Sequence, residues 1–439
     1  MKLDGARVTV VGLARSGVAA VELLLEKRAQ VTAVDQKPME AVRLAALGVN
    51  TVPQTDAAFA HADLIVLSPG VPTDVDVVAA ARRRGVNVVG DLELASWFLQ
   101  GDIAGITGAN GKTTTTALTG HIFAASGIPA QVGGNIGTPP CSMVRTSRPA
   151  QWNVLELSSF QLETTHTFHA RIGAALNVTP DHLDRHYSLE NYAQAKARLF
   201  VNQHAGDFKV LNADDPRTRA YAGRGAGGTF WFSSTRRVDP GAWIADARIM
   251  LAGDPLMETR EVPLLGVHNL ENIMAAALIA RLAGASHNQI RSAVMTFTGV
   301  EHRLEFVRET RGVRWYNDSK ATNVDATLKA LAAFDGGLWA ILGGKDKDSD
   351  YAPLREPLAS KARGVLLIGA AARKIEEQLR GSAELTQCGD LASAVALAHR
   401  NARAGDTVLL APACASFDQF ENFEHRGREF KRLVNALGE

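Results

Sequence analysis

Ile103-Ala104-Gly105-Ile106-Thr107-Gly108-Ala109-Asn110-Gly111-Lys112-Thr113-Thr114 is the stretch on which the fold turns. An apolar run of strand character enters a glycine-rich turn, and the turn opens a helix. Backbone N–H groups and the positive end of the helix dipole then face the same point, which suits phosphate oxygens. Lys112 would neutralise phosphate charge there, and the Thr113 hydroxyl would suit Mg²⁺. The strict phosphate-loop pattern needs glycine where Ile106 stands, so the generic pattern is not fully met. The bland alternative is a glycine-rich strand–helix turn with an exposed lysine.

Working outward, short apolar runs alternate with helical patterns along the whole chain, the mark of parallel α/β architecture. VTVVG at 8–12, VTAVD at 31–35 and DLIVLSPG at 63–70 belong to a first block that exits near 86–94. WNVLELSSFQLE at 152–163, IGAALNVTPDHLD at 172–184 and KVLNADD at 209–215 continue the second block, and 222–262 reads as irregular or antiparallel. LWAILGG at 338–344, GVLLIG at 364–369 and DTVLLAP at 406–412 form the third. At 439 residues the chain is too long for one ordinary core. The expectation is three α/β domains: a Rossmann-like N-terminal domain at 1–93, a phosphate-loop-type ATPase domain at 94–298 and a Rossmann-like C-terminal domain at 299–439.

Gly12-Leu13-Ala14-Arg15-Ser16-Gly17 is a degenerate dinucleotide fingerprint, and Asp35 ends the next strand, where an acid often binds a ribose hydroxyl. It fits NAD, or any nucleotide whose pyrophosphate meets the helix start, or a turn that only packs a helix on a sheet. Glu156 stands at a strand end near the phosphate loop, placed for Mg²⁺ or merely as a strand-end acid. His182 lies in a strand-to-loop exit, and Lys196 in a helical stretch; taken alone, a helix lysine reads as a solvated surface residue. Asn269 and Asn272, spaced i and i+3, share a helix face. Asn317-Asp318-Ser319-Lys320-Ala321-Thr322-Asn323 is a dense polar cluster after a strand, and Ala413-Cys414-Ala415-Ser416-Phe417-Asp418 follows another; both suit a ligand at a sheet's carboxyl edge.

The 47 basic and 46 acidic residues nearly cancel, which gives no reason to expect a nucleic-acid or anionic-membrane partner. No apolar run is long enough to insert into a bilayer, and no secretory signal is apparent. The three cysteines, Cys141, Cys388 and Cys414, make neither a CxxC pair nor a disulfide framework. A cytoplasmic protein is expected.

Together GANGKTT, LELSSFQLE, NVTPDHLDRH, HNLENIMAA, NDSKATN and APACASFDQF resemble the Mur ligase family along nearly the whole chain, and look like its D-glutamate-adding member. The family's shorter Gly-x-x-Gly-Lys-Thr/Ser loop accounts for Ile106. The resemblance implies ATP-dependent ligation through an acyl phosphate, with two Mg²⁺ ions, by a monomer acting on UDP-N-acetylmuramoyl-L-alanine and D-glutamate. By the same resemblance Lys196 matches a carbamylated lysine, and with Thr113, Glu156 and His182 it surrounds the metals. Asn269, Asn272, Arg303, Asp318 and Lys320 match residues around ATP, beside the loop Gly108–Thr114. Thr322, Lys347, Ser416 and Phe423 match residues around D-glutamate. Ser16, Asp35, Ser68, Gly70 and Asn135 match residues around the UDP-sugar. Lys345 departs from one relative, which has an acid there. Two rivals stand against this reading: an NAD-linked oxidoreductase resting on the fingerprint and Asp35, and a nucleotide-driven switch without an amino-acid substrate.

Overall fold

The computed structural model describes residues 3–36 and 41–438. The N-terminal segment forms a five-stranded sheet in the order Thr51–Val52, Gln30–Val34, Arg7–Val11, Leu64–Leu67, Asn87–Gly90, all parallel. Arg7–Val11 and Leu64–Leu67 are buried almost throughout, because helices cover both faces and a two-sided strand has no use for alternation. Helix Arg15–Glu26 turns Gly17, Val18, Ala20, Val21 and Leu24 inward. Gly17 has to be glycine, since a Cβ there would lie 1.8 Å from the Gly12 carbonyl oxygen.

The second sheet has nine strands, with Asp102–Thr107 between Ile172–Ala175 and Trp152–Glu156. The segment 222–262 departs in part from the sequence expectation. Gly228–Ser233 runs parallel to Phe208–Asn212, and Gly241–Ala245 parallel to Gly228–Ser233, so the parallel sheet extends further than its irregular pattern indicated. Only Arg248–Leu251 and Asp254–Glu258 continue it antiparallel. The carboxylate of Glu93, fully buried, joins the end of the first segment to the second sheet's surroundings. It accepts N–H bonds from His166, Thr167 and Phe168 at 2.8–2.9 Å.

The C-terminal sheet runs Glu305–Thr310, Val313–Asn317, Thr407–Leu410, Leu338–Gly343, Ala362–Ile368, Leu385–Gly389, parallel except for the first pair. On one face Trp315, Leu366, Val408, Phe430 and Val434 pack together; on the other lie Leu342, Tyr351, Leu367 and Leu409. Two compact units result: residues up to Val262 with Glu271–Phe297, and Pro263–Leu270 with Thr298 onward. Among the described residues no helix is long and apolar enough to cross a membrane.

Candidate active site

In the first unit, strand Asp102–Thr107 delivers the chain to Gly108, and helix Lys112–Ala125 starts just beyond. Gly111 has φ +86°, and a Cβ on it would meet Asn272 Oδ1 at 2.3 Å, so glycine serves both the left-handed turn and the close approach. The loop's back is held by Asn177: its carbonyl accepts from Ala109 N at 2.9 Å and its Oδ1 from Asn110 N at 2.8 Å. Thr115 Oγ1 donates to Asn272 Oδ1 at 3.3 Å. Lys112 Nζ folds onto the Gly108 and Ala109 carbonyls at 2.9 and 2.8 Å.

Lys196 overturns its bland reading as a solvated helix lysine. It is 1% exposed, because helix Leu189–Val201 turns Tyr192, Lys196, Leu199 and Phe200 to the core. Its Nζ donates to the Gly108 carbonyl at 2.8 Å and lies 4.4 Å from the Tyr192 ring centroid. Two amines thus converge on one carbonyl of the phosphate loop. Burial pushes the Lys196 pKa well below the ordinary lysine value, and the Lys112 cation adds to the fall, against Asp181 and Glu156.

Glu156, 2% exposed, ends the strand adjoining Asp102–Thr107. Its Oε1 accepts from Asn135 Nδ2 at 2.8 Å, and its carbonyl from Asn135 N at 2.8 Å. Thr113 and Thr114 are buried in the first helical turn. His182 has a left-handed φ of +52° and packs edge-on against Phe160, with ring centroids 4.8 Å apart. A buried carboxylate and a hydroxyl are hard oxygen donors of the kind Mg²⁺ takes. Among the described residues no group of three or more His, Cys, Asp or Glu could hold a metal alone. Lys196 donates to a carbonyl and in that form presents no oxygen of the kind Mg²⁺ prefers; as a carbamate it would offer oxygens.

The N-terminal loop is organised around Gly12. Ser68 Oγ donates to the Gly12 carbonyl at 2.6 Å, and Asp35 Oδ2 accepts from Leu13 N at 2.6 Å. Ser16 is half-buried and Gly70 exposed. Sequence reasoning left Arg15 without a role, yet its guanidinium donates to the Gly137 carbonyl at 2.7 Å. It ties the Gly12–Gly17 loop to the turn that carries Asn135. Arg185 was likewise passed over inside the quoted motif NVTPDHLDRH; it donates to the Val71 carbonyl at 2.9 Å and pairs with Glu163. Asp91, fully buried, has its pKa raised to about 6 by burial, against the Leu92 N–H and the Ser16 and Gln161 side chains.

In the second unit three loops leave the carboxyl ends of neighbouring strands Val313–Asn317, Thr407–Leu410 and Leu338–Gly343. Asp318 is buried, and burial raises its pKa to about 7 against Arg303, the Leu304 N–H and Lys320. Lys320 Nζ lies 5.2 Å from the Phe423 ring centroid. The fully buried Arg426 donates to the Ser319 and Cys414 carbonyls at 2.8 and 3.1 Å, which joins the Asp318 and Ser416 loops. Ser416 is buried, Thr322 and Phe423 half-buried, and Lys347 exposed. Asn269 donates to the Leu265 carbonyl at 2.7 Å.

A phosphate-type loop on one mostly parallel sheet, a glycine-rich strand–helix loop on another and a third sheet with polar loops at its carboxyl edge are features of a multidomain nucleotide-dependent enzyme. Three family profiles match in chain order: the Mur ligase MurD-like N-terminal domain over 6–90, the Mur ligase middle domain over 106–280, and the Mur ligase glutamate ligase domain over 302–414. The chain belongs to the Mur ligase family, and has its three-domain architecture. It is 58% identical over 438 residues to the UDP-N-acetylmuramoylalanine–D-glutamate ligase of Solibacter usitatus, covering 100% of this chain and 99% of the relative. It is 49% identical to the protein of that name from Acidobacterium capsulatum, over 99% of this chain and 97% of the relative. The fold is similar to that of UDP-N-acetylmuramate-alanine ligase MurC from Thermotoga maritima, with TM-score 0.62 at 18% identity over 98% of this chain and 99% of that one.

Proposed function

We propose that this protein is the ATP-dependent ligase that joins D-glutamate to UDP-N-acetylmuramoyl-L-alanine, a step of peptidoglycan precursor synthesis in the cytoplasm, and that it acts as a monomer. Its domains are 1–93 for the UDP-substrate, 94–298 for ATP and 299–439 for the amino acid. The sugar nucleotide and the amino acid are those in the names of the full-length relatives. The geometric observation that carries the reading is the buried Lys196 amine on the Gly108 carbonyl of the phosphate loop.

The γ-phosphoryl of ATP passes to the alanine carboxylate: an oxygen–phosphorus bond forms, the bond to the β-phosphate oxygen breaks, and ADP leaves. The neutral amine of D-glutamate attacks the acyl carbon, loses a proton, and the tetrahedral intermediate expels phosphate to leave an amide. Carboxylate and triphosphate repel one another, so positive charge must be positioned between them. Lys112 supplies part of it by leaving its loop carbonyls for phosphate oxygens, and Arg303 supplies more. Two Mg²⁺ ions, when bound, would supply the rest as charge-neutralising Lewis acids. Thr113, Glu156, His182 and Lys196 are the residues that would hold them. Lys196 would do so as a carbamate, formed when its neutral amine adds to CO₂ with a new C–N bond and release of a proton. Asn269, Asn272, Asp318 and Lys320 serve ATP; Ser16, Asp35, Ser68, Gly70 and Asn135 the UDP-sugar; Thr322, Lys347, Ser416 and Phe423 D-glutamate.

The test at the loop is Lys112→Ala, which is expected to lower turnover roughly a hundredfold or more while the protein remains folded. Near-normal turnover in a folded variant would rule out this loop as the ATP site.

A further inference from the structure

Four consecutive charged residues, Lys345-Asp346-Lys347-Asp348, follow the strand Leu338–Gly343. Lys345, Lys347 and Asp348 are exposed, while Asp346 is half-buried. The Asp346 carboxylate accepts from Tyr351 Oη at 2.7 Å, from Lys374 Nζ at 2.7 Å and from Ser349 N at 3.1 Å. Tyr351 is fully buried, and its hydroxyl lies 3.0 Å from Cys414 Sγ, two residues before Ser416. Lys374 comes from helix Ala372–Leu379, and so does Gln378, whose Oε1 accepts from Tyr351 N at 2.7 Å. On the other side of Asp346 the backbone of Lys345 exchanges both hydrogen bonds with Ala415, at 2.8 and 3.1 Å. The approach is so close that a Cβ on Gly344 would sit 2.2 Å from the Ala415 oxygen.

The loop bearing Lys347 is therefore tied to the Ser416 loop twice, once through backbone and once through the chain Lys374–Asp346–Tyr351–Cys414. The like charges of Lys345 and Lys347 give the segment nothing from mutual contact, and holding it in one conformation costs entropy that other contacts must offset. The Asp346 carboxylate gives it an inward fixed point next to Lys347, beside the Lys345 backbone bonds on one side and a 3.4 Å contact of Lys374 Nζ with Asp348 Oδ1 on the other. We infer that Asp346 is a positioning residue, which holds Lys347 in place beside the Ser416 loop for recognition of the dicarboxylic amino acid. This rests on the D-glutamate assignment proposed above. Asp346 itself touches no substrate; it acts through Lys347.

The test compares KM values in steady-state phosphate release by the full-length protein. Asp346→Ala is expected to raise KM for D-glutamate at least tenfold and to leave KM for ATP within twofold. Asp346→Asn, which keeps an acceptor for Tyr351 and Ser349 but loses the charge facing Lys374, should fall between the wild type and Asp346→Ala. Tyr351→Phe keeps the buried ring and deletes one hydroxyl, so it carries the test if Asp346→Ala does not fold; a threefold or greater rise confined to D-glutamate is expected. An unchanged KM for D-glutamate, or equal rises in both KM values, in folded variants overturns the inference. Lys347→Ala in parallel separates the failures. If it raises KM for D-glutamate and the Asp346 and Tyr351 variants do not, the positioning role alone is wrong. If it does not, the assignment of this loop to D-glutamate fails, and the inference with it.

Discussion

A lysine side chain with 1% exposure and its amine on two neutral oxygens is a poor place for a cation. Lys196→Ala is expected to lose most activity, and acetate to restore part of it by filling the vacated space with a carboxylate. Lys196→Arg, which keeps its charge and its bulk, should not be rescued. A ¹³CO₂-labelled carbamate signal in the wild type checks the same point directly, and an unmodified lysine in a fully active enzyme would contradict it. Asp318 makes a second residue-level prediction. Its pKa, raised to about 7 by burial in the folded state, means that between the ordinary carboxylate range and pH 7 the folded chain holds more protons than the unfolded one. This group's contribution to stability therefore falls as pH rises across that window. Asp318→Asn should flatten that part of the stability–pH curve, read by denaturant titration, and an unchanged slope would show the carboxyl to be ionised there. The burial of Lys196 was legible in principle. Tyr192, Lys196, Leu199 and Phe200 fall at i, i+4, i+7 and i+8, the core face of a helix, and only the expectation that lysine seeks water hid it. The bond from Arg15 to Gly137 was not legible, because it links positions 122 apart in sequence and no local pattern encodes that meeting.

At the scale of elements, both glycine-rich loops depend on close approaches that only glycine permits, to backbone at Gly17 and to the Asn272 side chain at Gly111. Gly17→Ala would put a Cβ 1.8 Å from the Gly12 oxygen and 2.6 Å from Ser68 Oγ. It should cost roughly 1–3 kcal/mol in stability and weaken the UDP-substrate far more than ATP, measurable by calorimetric titration. Gly111→Ala, at φ +86° and against Asn272, should do the reverse and raise KM for ATP. Equal effects on both ligands would mean the loops had been misassigned. The strands that were legible are those buried on both faces, such as LIVL at Leu64–Leu67, where continuous apolar runs leave little choice. Gly228–Ser233 was not, since half of its residues are half-buried, its sequence GTFWFS opens on an exposed glycine and its parallel partner is set by tertiary packing.

The whole molecule divides into two compact units, each with its own cores. Phe430, fully buried with its ring centroid 6.3 Å from that of Trp315, belongs to the second. Phe430→Ala should cost roughly 3–5 kcal/mol and lower only one of two calorimetric transitions; a single transition shifting as a whole would show the units to unfold together. The central claim, however, concerns chemistry, and it is tested most directly by phosphate release from ATP with UDP-N-acetylmuramoyl-L-alanine across a panel of D- and L-amino acids. The account predicts release only when D-glutamate is present, one phosphate for each amide formed, with no change in NADH absorbance. Equal release without any amino acid, or with L-glutamate in place of D-glutamate, would contradict it.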